Sequence, residues 1–319
     1  MAPNESTQAR ELGSTQKNDA GDGTIGRSEL RIRDPFIVDH NGRYLLFGTT
    51  DADPWRGPGV GFDRYESDDL EQWRGPFPAF RPAPGFWGET QFWAPEVHFY
   101  HGAWFMFATF ADRAGRRGTQ VLIGTGPDGL FRPWSDGPVT PSAWMCLDGT
   151  LYQDADGAPW LVFCHEWLQA GDGAIYAQRL TDDLRKSTGA PILLFTASQA
   201  PWTRPFRLEA TGYNDLAYIT DGPFVIRDEA GLALLWSSGG EGGYSVGVAR
   251  SSTGLITGPW VHQPHPLVDA DGGHAMLLAT RGDRFLIFHQ PNELPLERLT
   301  VERVTEESGI YRLEADARQ

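Results

Sequence analysis

Cysteine is nearly absent from this chain of 319 residues, in which Cys146 and Cys164 are the only two. If the turn between them centres on Ala155 and Asp156, a hairpin would place Cys146 opposite Cys164 or His165. Partners on neighbouring strands rarely have the geometry that a disulfide requires. The sequence also has no segment typical of a secretory leader, so an oxidising compartment is not indicated and two free thiols are expected.

Long hydrophobic runs and basic charge are also scarce. No apolar segment approaches the length of a membrane span, and the amino terminus lacks the regions of a signal peptide, which predicts a cytoplasmic protein. Lysine and arginine number 27 against 42 aspartates and glutamates, which gives a net charge of −15. This balance disfavours nucleic acid and anionic membranes as partners and fits a neutral ligand such as a sugar.

Glycine, proline and tryptophan are plentiful, with 38, 23 and 12 residues, a composition typical of many turns around an aromatic-rich core or cleft. Helical periodicity over a long stretch is hard to find. Residues 1–27 are polar and poor in aromatics. We interpret them as a flexible tail that precedes a single folded domain at 28–319.

Five segments repeat one design, in which an apolar strand is followed by a turn and a second apolar strand. The segments begin near Asp34, Pro95, Asp148, Asp221 and Gly273, at intervals of 61, 53, 73 and 52 residues. These intervals fit propeller blades of about 40–50 residues with loop insertions. The predicted fold is therefore all-β, a five-bladed β-propeller. A two-sheet sandwich is the alternative, but its strands would not recur as hairpins at this spacing.

Three of the five segments open with an aspartate, at Asp34, Asp148 and Asp221. A carboxylate at the mouth of a buried strand is costly unless it is paired or hydrogen-bonded. The inner strands of a propeller begin at one face, so the three side chains are expected to share a central pocket. Several carboxylates in a polar, aromatic-lined cleft suit glycoside hydrolysis, in which an acid protonates the leaving oxygen and a base acts on water.

The second strand of each segment returns to the same face, so its end and the following loop should form the rim of the pocket. Trp55, Trp93 and Trp167 are candidates for stacking on sugar rings, although a single tryptophan is more often part of a core. Further candidate contacts with a substrate are Glu96, His165 and His289.

The segments open with characteristic motifs, which in order are Arg33-Asp34-Pro35-Phe36, Trp93-Ala94-Pro95-Glu96-Val97, Leu147-Asp148-Gly149-Thr150-Leu151-Tyr152, Asp221-Gly222-Pro223-Phe224 and Gly272-Gly273-His274. Together they resemble glycoside hydrolase family 43, over about residues 30–313. The resemblance implies an inverting five-bladed propeller glycosidase, with Asp34 as general base and Asp148 as the residue that tunes and orients the acid. It also implies a hydrated calcium or sodium ion near His274; the alternative for this histidine is a hydrogen-bonded core residue.

The fourth motif departs from that family, which usually has a glutamate as general acid where this chain has Asp221. Aspartate is one methylene shorter, and a misplacement of about an ångström can cost roughly 10²-fold in rate. Glu166 on the rim is the alternative acid, although strand alternation would put Asp148 on the same face as His165 rather than Glu166. Glu209, in the loop before the fourth blade, is a third choice.

The leading hypothesis is an exo-acting inverting glycosidase that removes a terminal pentose, α-L-arabinofuranose, from plant-type oligosaccharides. A β-xylosidase on the same scaffold is the enzymatic alternative, because the two sugars present similar hydroxyl patterns. A carbohydrate-binding propeller that has lost catalysis is the alternative from another class. The aspartates at 34 and 148 speak against it, since a lectin needs no base there.

Overall fold

Antiparallel sheets of consecutive strands make up this protein, whose computed structural model describes residues 23–206 and 216–314. Within the described residues, four or five successive strands form each of five blades, and a parallel bridge between Phe80 and Phe131 joins the first two blades into one sheet. The first strand of each blade contacts the first strands of its neighbours around a central axis. The predicted five-bladed β-propeller is confirmed.

The strands are assigned to blades as follows. The first blade contains β1 (Ile25–Gly26), β2 (Arg33–His40), β3 (Arg43–Thr49), β4 (Phe62–Ser67) and β5 (Gln72–Phe80). The second contains β6 (Thr90–Tyr100), β7 (Ala103–Ala111), β8 (Arg117–Gly124) and β9 (Phe131–Pro138). The third contains β10 (Cys146–Gln153), β11 (Pro159–His165), β12 (Ala174–Leu180) and β13 (Ser187–Thr196). The fourth contains β14 (Asp221–Asp228), β15 (Gly231–Gly240), β16 (Gly243–Ser251), β17 (Trp260–His262) and β18 (Val268–Asp269), and the fifth β19 (Gly273–Ala279), β20 (Arg284–Gln290), β21 (Arg298–Glu307) and β22 (Ile310–Leu313).

Helical structure in the described part of the chain is confined to α1 (Trp167–Ala170) and a 3₁₀ turn at Ala197–Gln199. Both lie in the third blade or in the connection that follows it. Across 23–206 and 216–314, no helix has the length and apolar character needed to cross a membrane.

The amino-terminal boundary differs from the prediction. The sequence assigns Ile25 and Gly26 to the flexible tail, but they pair with Trp73 and Gln72 of β5. The first blade therefore includes residues that precede position 28. The rest of the predicted tail, 1–22, lies outside the described residues.

Apolar side chains fill the space between neighbouring blades. Successive residues such as Leu45-Leu46-Phe47 are all buried, because each blade is covered on both faces by its neighbours. Between the first and second blades, Phe62, Phe80, Phe92 and Phe110 have ring centres 4.8–6.1 Å apart. Tilted and edge-on ring contacts of this kind add to the gain from burial and hold the blades at a fixed angle.

Both cysteines are free thiols buried in the third blade. Cys146 on β10 pairs with His165, and Cys164 on β11 pairs with Leu147. The two thiols therefore lie on adjacent strands without being directly opposite each other, as the expectation of free thiols requires.

Every inner strand carries a bulge near its start, where one extra residue interrupts the pairing with the second strand. The bulge residues have positive φ angles between 46° and 55°, and they are Asp34, Ala94, Asp148, Gly222 and His274. The sequence aligned Pro95, Asp221 and Gly273 with Asp34 and Asp148, which is wrong by one residue in each case. Asp221 is equivalent to Leu147, the residue before the bulge.

The bulge residues form what we call the interblade ring, in which each backbone N–H donates a hydrogen bond to a side chain of the preceding blade. Its five bonds run from Ala94 to Thr49 Oγ1 (2.9 Å), Asp148 to Thr109 Oγ1 (2.8 Å), Gly222 to Asp148 Oδ2 (3.0 Å), His274 to Ser237 Oγ (2.8 Å) and Asp34 to His289 Nδ1 (3.2 Å). A buried amide without a partner is costly, so these bonds fix the start of every inner strand.

The fifth and first blades close the propeller through side chains as well as through the ring. Arg31 forms a 3.1 Å ion pair with Glu297, whose side chain is fully buried. The amide of Ile37 lies 2.9 Å from the sulfur of Met276. These contacts join segments more than 200 residues apart, so closure depends on the complete set of blades.

The interblade ring predicts a stability loss when one acceptor is removed. Thr109→Val keeps the side-chain volume but leaves the buried amide of Asp148 without its acceptor. The free energy of unfolding should fall by about 1–3 kcal/mol in urea denaturation. The exposed Thr305→Val is the matched control and should change it by less than about 0.5 kcal/mol. Equal effects of the two substitutions would contradict a stabilising role of the ring.

Candidate active site

A pocket of about 400 Å³ opens at the face where the inner strands begin. This volume lies within the range of about 300–1,000 Å³ that is usual for small-molecule sites. Loops that follow β3, β11 and β20 contribute to its walls. Its charged lining residues among those described are Arg33, Asp34, Arg56, Arg117, Asp148, Glu166, Asp221 and His274.

Asp34 has an environment that favours the ionised carboxylate. Its Oδ2 accepts a 2.6 Å hydrogen bond from the hydroxyl of Thr49, and its Oδ1 lies 3.2 Å from Nδ1 of His274. Burial acts to raise the pKa of Asp34, but the charges of His274 and Arg33 and the Thr49 hydrogen bond outweigh it and hold the pKa below its ordinary value. A carboxylate in this state can accept a proton from a bound water.

The surroundings of Asp148 raise its pKa instead of lowering it. Its Oδ2 accepts the Gly222 amide bond of the interblade ring and lies 3.7 Å from Nδ1 of His274. Burial raises the pKa of Asp148 to about 7, and the negative charges of Asp221 and Asp34 add to this effect against that of His274. Asp148 therefore exchanges a proton near neutral pH.

Asp221 also favours the protonated state more than an ordinary aspartate does. Its Oδ2 accepts a 3.0 Å hydrogen bond from the hydroxyl of Tyr244. Burial raises the pKa of Asp221 to about 6, with a further contribution from the charge of Asp34, while His274 and the Tyr244 bond oppose the increase. Asp221 can therefore hold a proton in the weakly acidic range and donate it to an oxygen of a ligand.

His274 lies between Asp34 and Asp148 and shares its Nδ1 with both. Burial acts to lower the pKa of His274, but the charges of these two carboxylates outweigh burial and raise it. The two carboxylates thus favour the protonated imidazole, a form that donates hydrogen bonds and is not a metal ligand.

The donor set around His274 does not fit direct coordination of calcium or sodium. Among the described residues, no group of three or more histidine, cysteine, aspartate or glutamate side chains could hold a metal ion. Calcium takes about 6–8 oxygen ligands. We therefore derive no step through an ion, and the ion near His274 stays a prediction.

Arg117 and Glu166 form a buried ion pair in the pocket wall. Nε and Nη2 of Arg117 donate to Oε1 of Gln91 at 3.0 and 2.8 Å, and its guanidinium lies 4.5 Å from the centre of the Trp93 ring. Burial lowers the pKa of Arg117 to about 10, so it remains a cation at neutral pH. Glu166 lines the pocket despite the prediction from strand alternation, because β11 ends at His165.

One wall of the pocket is continuous from the fifth blade to the second. Arg33 Nη2 donates to Oδ1 of Asn292 at 2.6 Å, and its guanidinium lies 5.0 Å from the centre of the Trp55 ring. Trp55 packs edge-on against Trp93 with ring centres 5.1 Å apart. The Trp93 indole N–H donates to the Pro54 carbonyl oxygen at 2.6 Å.

The other side is lined from the third blade and from the connection to the fourth. Trp167, at the start of α1, packs edge-on against Phe206 with ring centres 5.0 Å apart, and both line the pocket. Glu209, the third choice for the acid, lies outside the described residues.

Comparison with known proteins identifies the family. The sequence pattern of the family described as glycosyl hydrolases family 43 matches residues 28–315, which is nearly the whole chain. The chain belongs to glycosyl hydrolase family 43. The resemblance seen in the five opening motifs is confirmed.

Relatives of known structure share the fold of this family 43 member. A structure described as an endo-arabinase from Bacteroides thetaiotaomicron VPI-5482 is 40% identical, with a TM-score of 0.82, and the match covers 90% of this chain and 98% of that one. A structure described as an endo-1,4-beta-xylanase from the same organism is 23% identical, with a TM-score of 0.71, and covers 92% and 97%, which supports the fold alone.

A curated relative matches over a shorter length. "Alpha-L-arabinofuranosidase 43" of Humicola insolens is 26% identical over 193 residues, which cover 56% of this chain and 37% of the relative. The matched segment therefore spans well under half of that relative.

Most of the predicted site residues lie together in the pocket of this family 43 member. Those that line it are Asp34, Asp148, Asp221, Glu166, Trp55, Trp93, Trp167 and His274. Three predicted substrate contacts do not line it. Glu96 is buried and pairs with His98 at 3.0 Å. His165 stacks on Trp144 with ring centres 4.5 Å apart. His289 is fully buried and acts as an acceptor in the interblade ring.

Arg117 and Tyr244 are two polar residues among the pocket residues that the sequence reasoning missed. Both stand at or next to the start of a third strand, β8 or β16. In an antiparallel blade the third strand runs in the same direction as the first, so its start lies at the same face. That rule would have singled out both residues, whereas attention to the first two strands of each blade did not.

Proposed function

We propose that this family 43 protein is an exo-acting inverting glycosidase that removes terminal α-L-arabinofuranosyl residues from plant-type oligosaccharides. The observation that carries the proposal is the set of three pocket aspartates around one histidine, two of them with raised pKa values and one with a lowered pKa. Inverting hydrolysis requires one ionised and one protonated carboxyl group at the same time.

In the proposed mechanism Asp34 is the general base. It takes a proton from a water molecule as the water oxygen forms a bond to the anomeric carbon. Asp221 is the general acid and gives its proton to the glycosidic oxygen as the bond from that oxygen to the anomeric carbon breaks. Proton exchange with solvent then restores both groups.

Asp148 and His274 set the protonation states in this mechanism. Nδ1 of His274 lies 3.2 Å from Oδ1 of Asp34 and 3.7 Å from Oδ2 of Asp148, so the imidazole contacts both carboxylates. The charge of His274 helps to hold the pKa of Asp34 down, while burial and the charge of Asp34 raise the pKa of Asp221 and so favour a protonated acid. A carbohydrate-binding propeller without catalysis would need none of these opposed pKa shifts.

The wall that runs from Asn292 through Arg33 and Trp55 to Trp93 supports an exo mode of action. Asn292 accepts a hydrogen bond from Arg33, Trp93 donates one to the Pro54 carbonyl, and ring contacts join Arg33 to Trp55 and Trp55 to Trp93 along one side of the pocket. A polysaccharide chain that crosses an endo-acting site needs an open path on both sides. A terminal sugar needs an open path on one side only.

Endo-arabinanase activity is the second candidate, because the structure that is 40% identical carries that description. The name of the Humicola insolens relative favours arabinofuranosidase activity. β-Xylosidase activity remains the alternative for the sugar, since the pocket is lined by groups that bind hydroxyls of either pentose.

The product pattern on a linear arabino-oligosaccharide tests the exo assignment. Free arabinose should appear from the first time point, with the oligomer shortened by one residue at a time, because the wall admits only a chain end. Chromatography of timed samples measures this, and a xylo-oligosaccharide serves as the parallel substrate. Early release of fragments longer than one residue would identify an endo enzyme, and release of xylose alone would identify a xylosidase.

Two alanine variants test which carboxyl group is the acid. Asp221→Ala should lower kcat/KM for a natural glycoside by about 10²–10⁴-fold, but far less for an aryl glycoside whose leaving group needs little protonation. Glu166→Ala should impair both substrates alike, because it leaves the buried Arg117 unpaired. With the unaltered enzyme, kcat/KM for the natural glycoside should fall as pH rises through about 6, the pKa of Asp221.

The reverse pattern would overturn the acid assignment. If Glu166→Ala were rescued selectively by the activated leaving group and Asp221→Ala were not, Glu166 would be the proton donor. Asp221 would then be a substrate-binding residue.

A further inference from the structure

Tyr244 holds the aspartate that stands where the family resemblance predicts a glutamate. Its hydroxyl donates to Oδ2 of Asp221 at 3.0 Å, and it reaches the pocket from β16 in the same blade. Oδ1 of Asp221 has no hydrogen-bond partner within 23–206 and 216–314. Tyr244 therefore holds one carboxyl oxygen, and no described residue binds the other.

The tyrosine ring is itself fixed by the fifth blade. It is only 7% exposed and stacks on His289, with ring centres 5.8 Å apart. Its backbone N–H donates to Asp271 at 3.3 Å, and its carbonyl oxygen accepts from Gly272 at 2.8 Å. The position of the hydroxyl is therefore set by contacts that do not involve Asp221.

Gly273 makes room for this ring. It occupies the place that Arg33, Trp93, Leu147 and Asp221 occupy in the other blades, directly before the bulge. A Cβ atom there would lie 2.2 Å from Cε1 of Tyr244, which is too close for any side chain. The space that the Tyr244 ring occupies therefore explains why position 273 of the fifth opening motif is a glycine.

We propose that Tyr244 is a positioning residue that lets an aspartate serve as the general acid in this chain. Its hydroxyl holds Oδ2 of Asp221, so that Oδ1 carries the proton toward the glycosidic oxygen. This inference rests on the proposed function. A misplaced acid can cost roughly 10²-fold in rate. The hydrogen bond from Tyr244 gives Asp221, which is one methylene shorter than glutamate, a defined position.

The direction of the pH effect follows from the chemistry of the bond. Burial raises the pKa of Tyr244 well above its ordinary value, so the phenol keeps its proton and acts as a donor. A donor stabilises the ionised form of Asp221, and its removal should raise the pKa of that acid. Within the described residues, the charged and titratable groups around Asp221 are Asp34, Arg33, Asp148, His274, Arg117, Tyr244 and Cys164.

Tyr244→Phe is the direct test. For a natural glycoside, kcat/KM should fall by roughly 10–100-fold, and the alkaline limb of its pH profile should move to higher pH. For an activated aryl glycoside the loss should stay within about threefold, because little proton transfer is needed. Equal losses on both substrates with an unmoved alkaline limb would overturn the inference and leave Tyr244 a structural role.

Tyr311→Phe is the matched control. Tyr311 is buried and donates a 2.6 Å hydrogen bond to Asp228, but it does not line the pocket. Its substitution removes the same kind of bond and should lower the melting temperature without changing the pH profile. A shift of the profile in both variants would also overturn the inference.

A double variant separates this inference from the proposed function. If Tyr244 acts through Asp221, adding Tyr244→Phe to Asp221→Asn should cause little further loss on the natural glycoside, whereas independent effects would multiply. Multiplying losses would overturn the positioning role alone. If Asp221→Asn itself kept its activity on the natural glycoside, the acid assignment in the proposed function would fail, whatever the effect of Tyr244.

Discussion

The interblade ring is the constraint on which both the fold and the site depend. Each inner strand can begin at the axis only if its bulge amide finds an acceptor on the preceding blade. The bond from Asp34 to His289 closes this circuit between the last blade and the first. The bulge also directs the side chains of Asp34, Asp148 and His274 into one pocket. The same backbone feature therefore joins neighbouring blades and brings the charged groups together.

Within this pocket, the electrostatic environments of the carboxyl groups differ. Asp34 and Asp148 hold equivalent positions, yet the pKa of Asp34 is lowered and that of Asp148 is raised. Asp34 has a hydroxyl donor, a nearby arginine and the closer contact with His274. Asp148 is as deeply enclosed, but other carboxylates face it. A carboxylate that stays ionised and a carboxylate that can hold a proton near neutral pH therefore arise from one repeated element.

Much of the fold was predictable because hairpin patterns recur five times and because apolar runs mark strands covered on both faces. The placement of Asp34, Asp148 and Asp221 in one pocket followed from the same repeat, and that of His274 from the family resemblance. The comparison of the five segments placed Asp221 one residue off, because the position of a β-bulge depends on the backbone and cannot be read from residue types. His289 was misjudged as a substrate contact, since its role is to accept the amide bond that closes the ring. Tyr244 was missed because it stands on the third strand of its blade, whereas the sequence reasoning considered only the first two strands.

The central claim is that Asp34 and Asp221 act on opposite sides of the anomeric carbon in a single displacement. Proton NMR of the sugar formed in the first minutes of hydrolysis tests it most directly, with Asp34→Asn as the inactive control. We expect the first-formed sugar to have the anomeric configuration opposite to that of the substrate, before mutarotation mixes the two forms. A first-formed sugar that retains the configuration of the substrate would contradict the account.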